Sequence, residues 1–141
     1  MRRPFVRTIP FLVVLALSAG CDDSSSNPGT PTAPSGSITT ETFEGTLNKN
    51  GATTFTLATA SSGTVTATLV TIAPDATIPV GFSLGTWNGT SCSTSGIFND
   101  NALAGTTILG SVSAAATLCV RAYDVGKISD VVTFKIEISH P

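Results

Sequence analysis

Few side chains of this chain could take part in catalysis. Its one histidine, His140, lies next to the C-terminus, where chains usually fray, so we expect an ordinary tail residue. Glu41, Glu44 and Glu137 lie in or beside strand-like patterns and are expected to be solvated, not paired across a cleft for glycoside cleavage. A hydrolase needs a nucleophile, a base and an orienting group, and the sequence offers no such set. We therefore expect no enzymatic activity.

Loop carboxylates raise the question of calcium binding. Residues 99–101, Asn-Asp-Asn, together with Asp124 and Asp130, offer oxygen ligands of the kind that Ca²⁺ takes in sets of six to eight. The sequence contains no EF-hand and no repeat of glycine and aspartate. Asn and Asp side chains also stabilise turns. We expect turn chemistry, with no metal and no cofactor.

Three aromatic residues are candidates for contact with a ligand. Trp87, Phe98 and Tyr123 could stack on a sugar ring or anchor a protein interface. For Trp87, packing in the core or beside a disulfide is the simpler interpretation. The predicted binding residues are Trp87, Asn99, Asp100, Asn101 and Tyr123.

The first 21 residues have the layout of an export signal. Arg2, Arg3 and Arg7 precede a short apolar run, and small residues and a cysteine follow it. Residues 17–21, Leu-Ser-Ala-Gly-Cys, resemble the lipobox of bacterial lipoproteins. The resemblance implies that residues 1–20 are a signal peptide, that Cys21 is acylated, and that membrane lipid is the partner of that cysteine. The apolar run is too short for a transmembrane anchor, whereas cleavage by the ordinary signal peptidase is the alternative left open.

The composition after Cys21 indicates a tether and one domain. Residues 21–37 are the cysteine and a linker rich in Ser, Pro and Gly, with no large apolar residue to bury. Residues 38–141 suit a single domain. From residue 21 on, four basic side chains stand against nine acidic ones, a net charge of −5. A negative surface of this kind does not favour binding to nucleic acid.

With Cys21 assigned to lipid, two cysteines remain in an exported chain. In an oxidising compartment, Cys92 and Cys119 are expected to form a disulfide. A redox or metal-binding pair is the alternative, but it lacks the CxxC spacing and a nearby histidine.

The domain has the alternation of an all-β fold. Apolar residues recur at every second position in segments such as 64–70, where Val65, Ala67 and Leu69 share a face, and turn signals such as Asn50-Gly51 separate the segments. About eight short strands are predicted, which favours a small two-sheet β-sandwich with Greek-key or jelly-roll connections. Residues 87–92 are predicted as one short strand and residues 93–105 as a long loop of the kind that is often functional.

The last two strands resemble those of a known family. Residues 118–124, Leu-Cys-Val-Arg-Ala-Tyr-Asp, and 132–136, Val-Thr-Phe-Lys-Ile, taken with 45–47 and the turn and strand 51–55, resemble the bacterial pre-peptidase C-terminal domain. The resemblance implies a small secreted β-sandwich that accompanies exported enzymes. Residues 52–54 are Ala-Thr-Thr where family members often carry aspartates, so it does not bring a calcium site with it.

These observations predict a lipid-anchored protein of the bacterial cell envelope, outside the cytoplasm, with the choice between inner and outer membrane left open. Its β-sandwich is expected to be a non-catalytic binding or interaction module, with a protein or a carbohydrate as ligand. The alternatives are an accessory domain for a secreted enzyme and a carbohydrate-binding module.

Overall fold

The computed structural model describes residues 36–141. The predicted signal peptide, Cys21 and the linker up to residue 35 lie outside the described residues. The described part is all-β, so it contains no helix that is long and apolar enough to cross a membrane. The nine strands are β1 (Thr39–Leu47), β2 (Ala52–Thr59), β3 (Gly63–Ala73), β4 (Val80–Trp87), β5 (Cys92–Ser93), β6 (Phe98–Ala102), β7 (Thr107–Val112), β8 (Ala116–Tyr123) and β9 (Val132–His140).

The strands form two antiparallel sheets, as predicted. The four-stranded sheet has the order β1-β9-β3-β7, and the five-stranded sheet has the order β2-β8-β4-β5, with β6 also paired to β4. Because the strands run antiparallel, the loops collect at two ends. The entry end carries Gly36 and loops 60–62, 88–91 and 113–115, and the far end carries loops 48–51, 74–79, 103–106 and 124–131.

The core lies between the sheets and follows the predicted alternation. On β3, Val65, Ala67 and Leu69 are fully buried while the threonines between them are only partly buried. Full burial of one large aliphatic side chain contributes roughly 1.5 to 3 kcal/mol, so these rows are the main stabilising contribution. The largest fully buried apolar side chains are Leu47, Val65, Leu69, Val80, Phe82, Val120, Val132, Ile136 and Ile138.

Turn chemistry ties together two loops of the far end. Asn50 takes a positive φ of 57° in the β1–β2 turn, as the Asn-Gly pair predicts, and its backbone N–H donates to Asp124 Oδ2 at 2.8 Å. Asp124 Oδ1 also accepts the backbone N–H groups of Gly126, Lys127 and Ile128. These bonds, led by that from Asn50, lower the pKa of Asp124. Asp124 therefore stabilises turns, and its oxygens are committed to backbone donors.

The segment between β4 and β7 differs from the prediction. Trp87 ends β4, residues 88–91 form a turn, and β5 begins only at Cys92, so residues 87–92 are not one strand. The predicted loop 93–105 contains the end of β5 and all of β6. A β-bulge opposite Gly81 interrupts the alternation of β6, which is why the pattern of that strand is not visible in the sequence.

The expectation that His140 belongs to a frayed tail is wrong. His140 is the last residue of β9 and is only 4% exposed. Its Nε2 lies 2.9 Å from Glu41 Oε1, across the β1–β9 pair, and Ala60 N–H donates to the carbonyl of Pro141 at 3.0 Å. Pairing with β1 therefore keeps the end of β9 in place.

The predicted disulfide is present. Cys92 and Cys119 are joined with their Cα atoms 5.7 Å apart. Cys119 lies opposite Gly85 of β4, and a Cβ on Gly85 would overlap the backbone carbonyl of Ser93. The glycine thus leaves space for the chain after β5 to lie against β4, and the disulfide fastens that chain to β8.

Reducing the disulfide should lower the free energy of unfolding by roughly 3 to 4 kcal/mol, because a cross-link spanning 27 positions restricts the unfolded chain. The melting temperature, measured by circular dichroism with and without reductant, should fall by more than about 10 °C. The Cys21→Ser variant is the control, since it keeps this disulfide and should respond equally. Equal melting temperatures in both buffers would contradict the expected contribution.

Candidate functional site

Tyr123 lies across the outer face of the five-stranded sheet. It ends β8 and stands opposite Gly81 of β4 and Ala52 of β2. A Cβ on Gly81 would overlap the Tyr123 ring, so the ring occupies the space that a side chain at this position would fill. The glycine therefore allows the tyrosine to reach over β4 toward the next strand.

That next strand supplies the partner of the tyrosine. The Tyr123 hydroxyl donates a hydrogen bond to the Asp100 carboxylate on β6. Asp100 reaches this position because of the bulge, in which Asn99 Oδ1 accepts the backbone N–H of Asn101 at 2.8 Å. Three strands, β8, β4 and β6, thus jointly position one hydrogen bond.

Charge surrounds the tyrosine on both sides. The guanidinium carbon of Arg121 lies 5.2 Å from the centre of the Tyr123 ring, a cation–π arrangement. Burial of the hydroxyl, its hydrogen bond to Asp100 and the negative charge of Asp100 raise the pKa of Tyr123 to about 12, and Arg121 opposes this rise. The hydroxyl is therefore a stable donor and not a base at neutral pH.

A second aromatic residue extends the surface. Ser83 of β4 lies between Phe98 of β6 and Arg121 of β8 in the ladder. Phe98 is 55% exposed, whereas the Ser83 Oγ is buried and forms no hydrogen bond within the described residues. We name the four exposed or half-buried side chains Phe98, Asp100, Arg121 and Tyr123 the Tyr123 cluster.

The structure brings together some of the predicted binding residues and not others. Asp100 and Tyr123 are in contact, and Asn99 and Asn101 build the bulge that positions Asp100. Trp87 is half-buried opposite Cys92, beside the disulfide. Trp87 is six residues from Gly81 along β4, which corresponds to about 20 Å. It therefore does not lie next to Tyr123.

Sequence reasoning missed Arg121 as a member of the site. The alternation of β8 had placed Arg121 and Tyr123 on one face, which was the available signal. Gly81 makes room for the Tyr123 ring, and Ser83 lies between Phe98 and Arg121, only because β4 pairs with both β6 and β8. No local sequence pattern shows this pairing.

The Tyr123 cluster can bind but has little chemistry for bond cleavage. It offers an exposed ring, a guanidinium with several donors and a carboxylate that accepts. His140, which is bonded to Glu41 and Pro141, lies at the entry end, and Tyr123 lies at the far end. Within residues 36–141, no three His, Cys, Asp or Glu side chains are grouped closely enough to hold a metal ion.

A pocket of about 210 Å³ opens on the side of the sandwich between β7 and residues 93–97. Its lining is mostly apolar, with Leu84, Ile97, Val112 and Leu118 among the lining side chains and hydroxyl groups at Ser93 and Ser95. No titratable side chain lines it. The pocket therefore offers no group for acid–base chemistry.

Two substitutions should move the pKa of Tyr123 in opposite directions. Asp100→Asn removes a negative charge and should lower this pKa from about 12 toward the ordinary 10.0, whereas Arg121→Gln removes a positive charge and should raise it. Tyr123 is the chain's single tyrosine, so the ultraviolet absorbance of tyrosinate reports it directly. An unchanged pKa in Asp100→Asn would show that the hydrogen bond is absent.

The raised pKa also sets a pH dependence of stability. Between pH 10 and about pH 12 the folded chain retains a proton that the unfolded chain has lost, so the free energy of unfolding should fall as the pH rises through this window. Tyr123→Phe is the control, since it removes this contribution and leaves only the slope due to other groups.

Comparison with known proteins assigns no family to the chain. No protein-family model matches it, and neither a curated protein nor a solved structure does. The resemblances to the lipobox and to the pre-peptidase C-terminal domain therefore stay predictions.

Proposed function

We propose that this protein is a non-catalytic binding module of the bacterial cell envelope, held on a membrane by lipid on Cys21. The Tyr123 cluster is its ligand-binding surface. The single observation that carries the binding role is the half-exposed Phe98 on the same sheet face as a tyrosine whose hydroxyl is held by Asp100. Aromatic and arginine side chains supply most of the energy at binding surfaces.

The cluster is suited to recognition because its central side chain, Tyr123, has restricted freedom. Tyr123 is held by Gly81 beneath it, by Asp100 at its hydroxyl and by Arg121 near its ring. A side chain that is already ordered loses little conformational entropy when a ligand binds. The absence of a nucleophile and base within the cluster favours binding over turnover.

The anchoring part of the proposal depends on residues 17–21 and on the linker. A cysteine that carries several acyl chains holds a protein stably on a membrane. The linker predicted from the sequence, residues 22–37, would have an end-to-end distance of about 20 to 25 Å if it were a flexible coil. The domain would therefore work within a few nanometres of the lipid.

A carbohydrate is a second candidate ligand, favoured by the neighbourhood of Phe98. The exposed ring can stack on the apolar face of a sugar, and Asp100 and Arg121 can accept and donate hydrogen bonds to its hydroxyls. A protein partner would use the same residues as an interface anchor. An accessory role beside a secreted enzyme would be one case of binding to a protein partner.

Substituting Cys21→Ser should move the protein from the detergent-rich to the aqueous phase in a detergent phase separation, because the acylated thiol is lost. The double variant Cys92→Ser with Cys119→Ser is the matched control, since it loses two other cysteines and should stay in the detergent phase. Aqueous partition of the unaltered chain would contradict lipid anchoring.

Substituting Phe98→Ala or Arg121→Gln should weaken ligand binding about tenfold or more, as expected for a residue at the centre of an interface. Co-sedimentation with purified peptidoglycan tests the carbohydrate candidate, and a photo-crosslinking residue at position 98 in living cells tests a protein partner. Lys135, which is half-buried on the outer face of the other sheet, provides the control variant Lys135→Gln and the control crosslinking position.

The two assays separate the candidates. Sedimentation of the unaltered chain that Phe98→Ala abolishes supports a glycan, and a crosslinked protein found at position 98 but not at 135 supports a protein. If neither substitution in the cluster changes any binding of the chain, the Tyr123 cluster is not the binding surface.

A further inference from the structure

The two ends of the sandwich differ in charge. The loops of the far end contain all the charged loop residues of the described chain, Lys49, Asp75, Asp124, Lys127 and Asp130. The entry-end loops 60–62, 88–91 and 113–115 read Ala-Ser-Ser, Asn-Gly-Thr-Ser and Ser-Ala-Ala. One end of the domain is therefore charged, and the other presents small uncharged residues.

The nearest titratable side chains at the entry end, Glu41 and His140, are in contact with each other. Glu41, the third residue of β1, accepts a hydrogen bond from His140 or pairs with its protonated ring at 2.9 Å. The His140 side chain is only 5% exposed. The entry-end loops 60–62, 88–91 and 113–115 themselves carry no titratable side chain.

Apolar side chains lie at the same end. Ile38 is 67% exposed just before β1, and Trp87 is half-buried at the last position of β4. Ala114 and Ala115 are exposed at the tip of the β7–β8 loop. Tryptophan combines an apolar ring with one N–H donor and is enriched where hydrocarbon meets water.

The direction in which the chain enters the domain connects this end to Cys21. Gly36 lies beside Ser61 of the β2–β3 loop, so the residues that precede it join the domain at the entry end. The proposed acylated cysteine is fifteen positions before Gly36. A bilayer that holds Cys21 would therefore be tethered to the domain at this end.

We propose that the entry end rests on the lipid surface in which Cys21 is anchored, with Trp87 and Ile38 at the boundary between headgroups and acyl chains. This rests on the proposed lipid anchoring. The tether keeps the end close to the bilayer, so a contact that is weak in solution becomes populated. The charged far end then points away from the membrane, and the Tyr123 cluster lies on the side of the domain.

The fluorescence of Trp87, the chain's single tryptophan, tests this arrangement. The full chain, matured in a bacterial host, is reconstituted in phosphatidylethanolamine–phosphatidylglycerol vesicles with or without brominated acyl chains. The brominated lipid should quench the emission, and acrylamide should quench it about two- to threefold less than in the aqueous Cys21→Ser chain, as expected for an interfacial ring.

Two matched variants test which end faces the lipid. Ala114→Glu adds a charge to an exposed entry-end loop and should reduce quenching by the brominated lipid, because the carboxylate opposes contact with the bilayer. Ala76→Glu adds the same charge to an exposed far-end loop and should leave the quenching unchanged. Both variants should still co-sediment with vesicles.

The outcomes separate the inference from the proposed function. If the unaltered chain co-sediments with vesicles but Trp87 is not quenched, or if Ala76→Glu reduces quenching as much as Ala114→Glu does, the proposed orientation is wrong while anchoring stands. If the unaltered chain does not co-sediment, anchoring is wrong and the orientation is wrong with it.

Discussion

The outer face of β4 is the constraint on which the functional surface depends. Gly81 and Gly85 lack side chains on this central strand, so the layer above it is filled by groups from other strands. Tyr123 crosses β4 at Gly81 to reach Asp100, and Ser93 lies against Gly85, next to Cys92, whose disulfide joins Cys119 of β8. Two contacts that link β8 with the opposite edge of the sheet thus arise from two missing side chains.

This arrangement explains how a small domain with few charged residues can present an ordered polar side chain on an open sheet face. On an open sheet face, water competes for the donors and acceptors, so a single hydrogen bond contributes little to the free energy of unfolding. Here Gly81 lets the Tyr123 ring lie against the backbone, which partly removes its hydroxyl from water and raises the pKa of the phenol to about 12. The hydroxyl remains a donor, and the Asp100 carboxylate is held on the sheet face that also carries Arg121 and Phe98.

The charged loop residues make the two ends of the domain different. Alternating strand directions send every second loop to the same end, and the charged loops all fall at the end opposite Gly36. A domain tied to a bilayer through the residues before Gly36 would present its polar end and the Tyr123 cluster to the surroundings. The proposed anchor and the proposed binding surface are therefore compatible.

The sequence by itself determined the all-β class, the inward rows such as Val65, Ala67 and Leu69, and the Cys92–Cys119 pair, because alternation is a local property and the predicted lipidation of Cys21 leaves these two cysteines as a pair. Only the tertiary structure decided the neighbours of β4, the bulge at Asp100, the burial of His140 and the separation of Trp87 from Tyr123. The physical reason is that strand pairing joins residues far apart in the chain. Gly81 and Ser83 gain their roles from partners on β6 and β8 that no local pattern identifies.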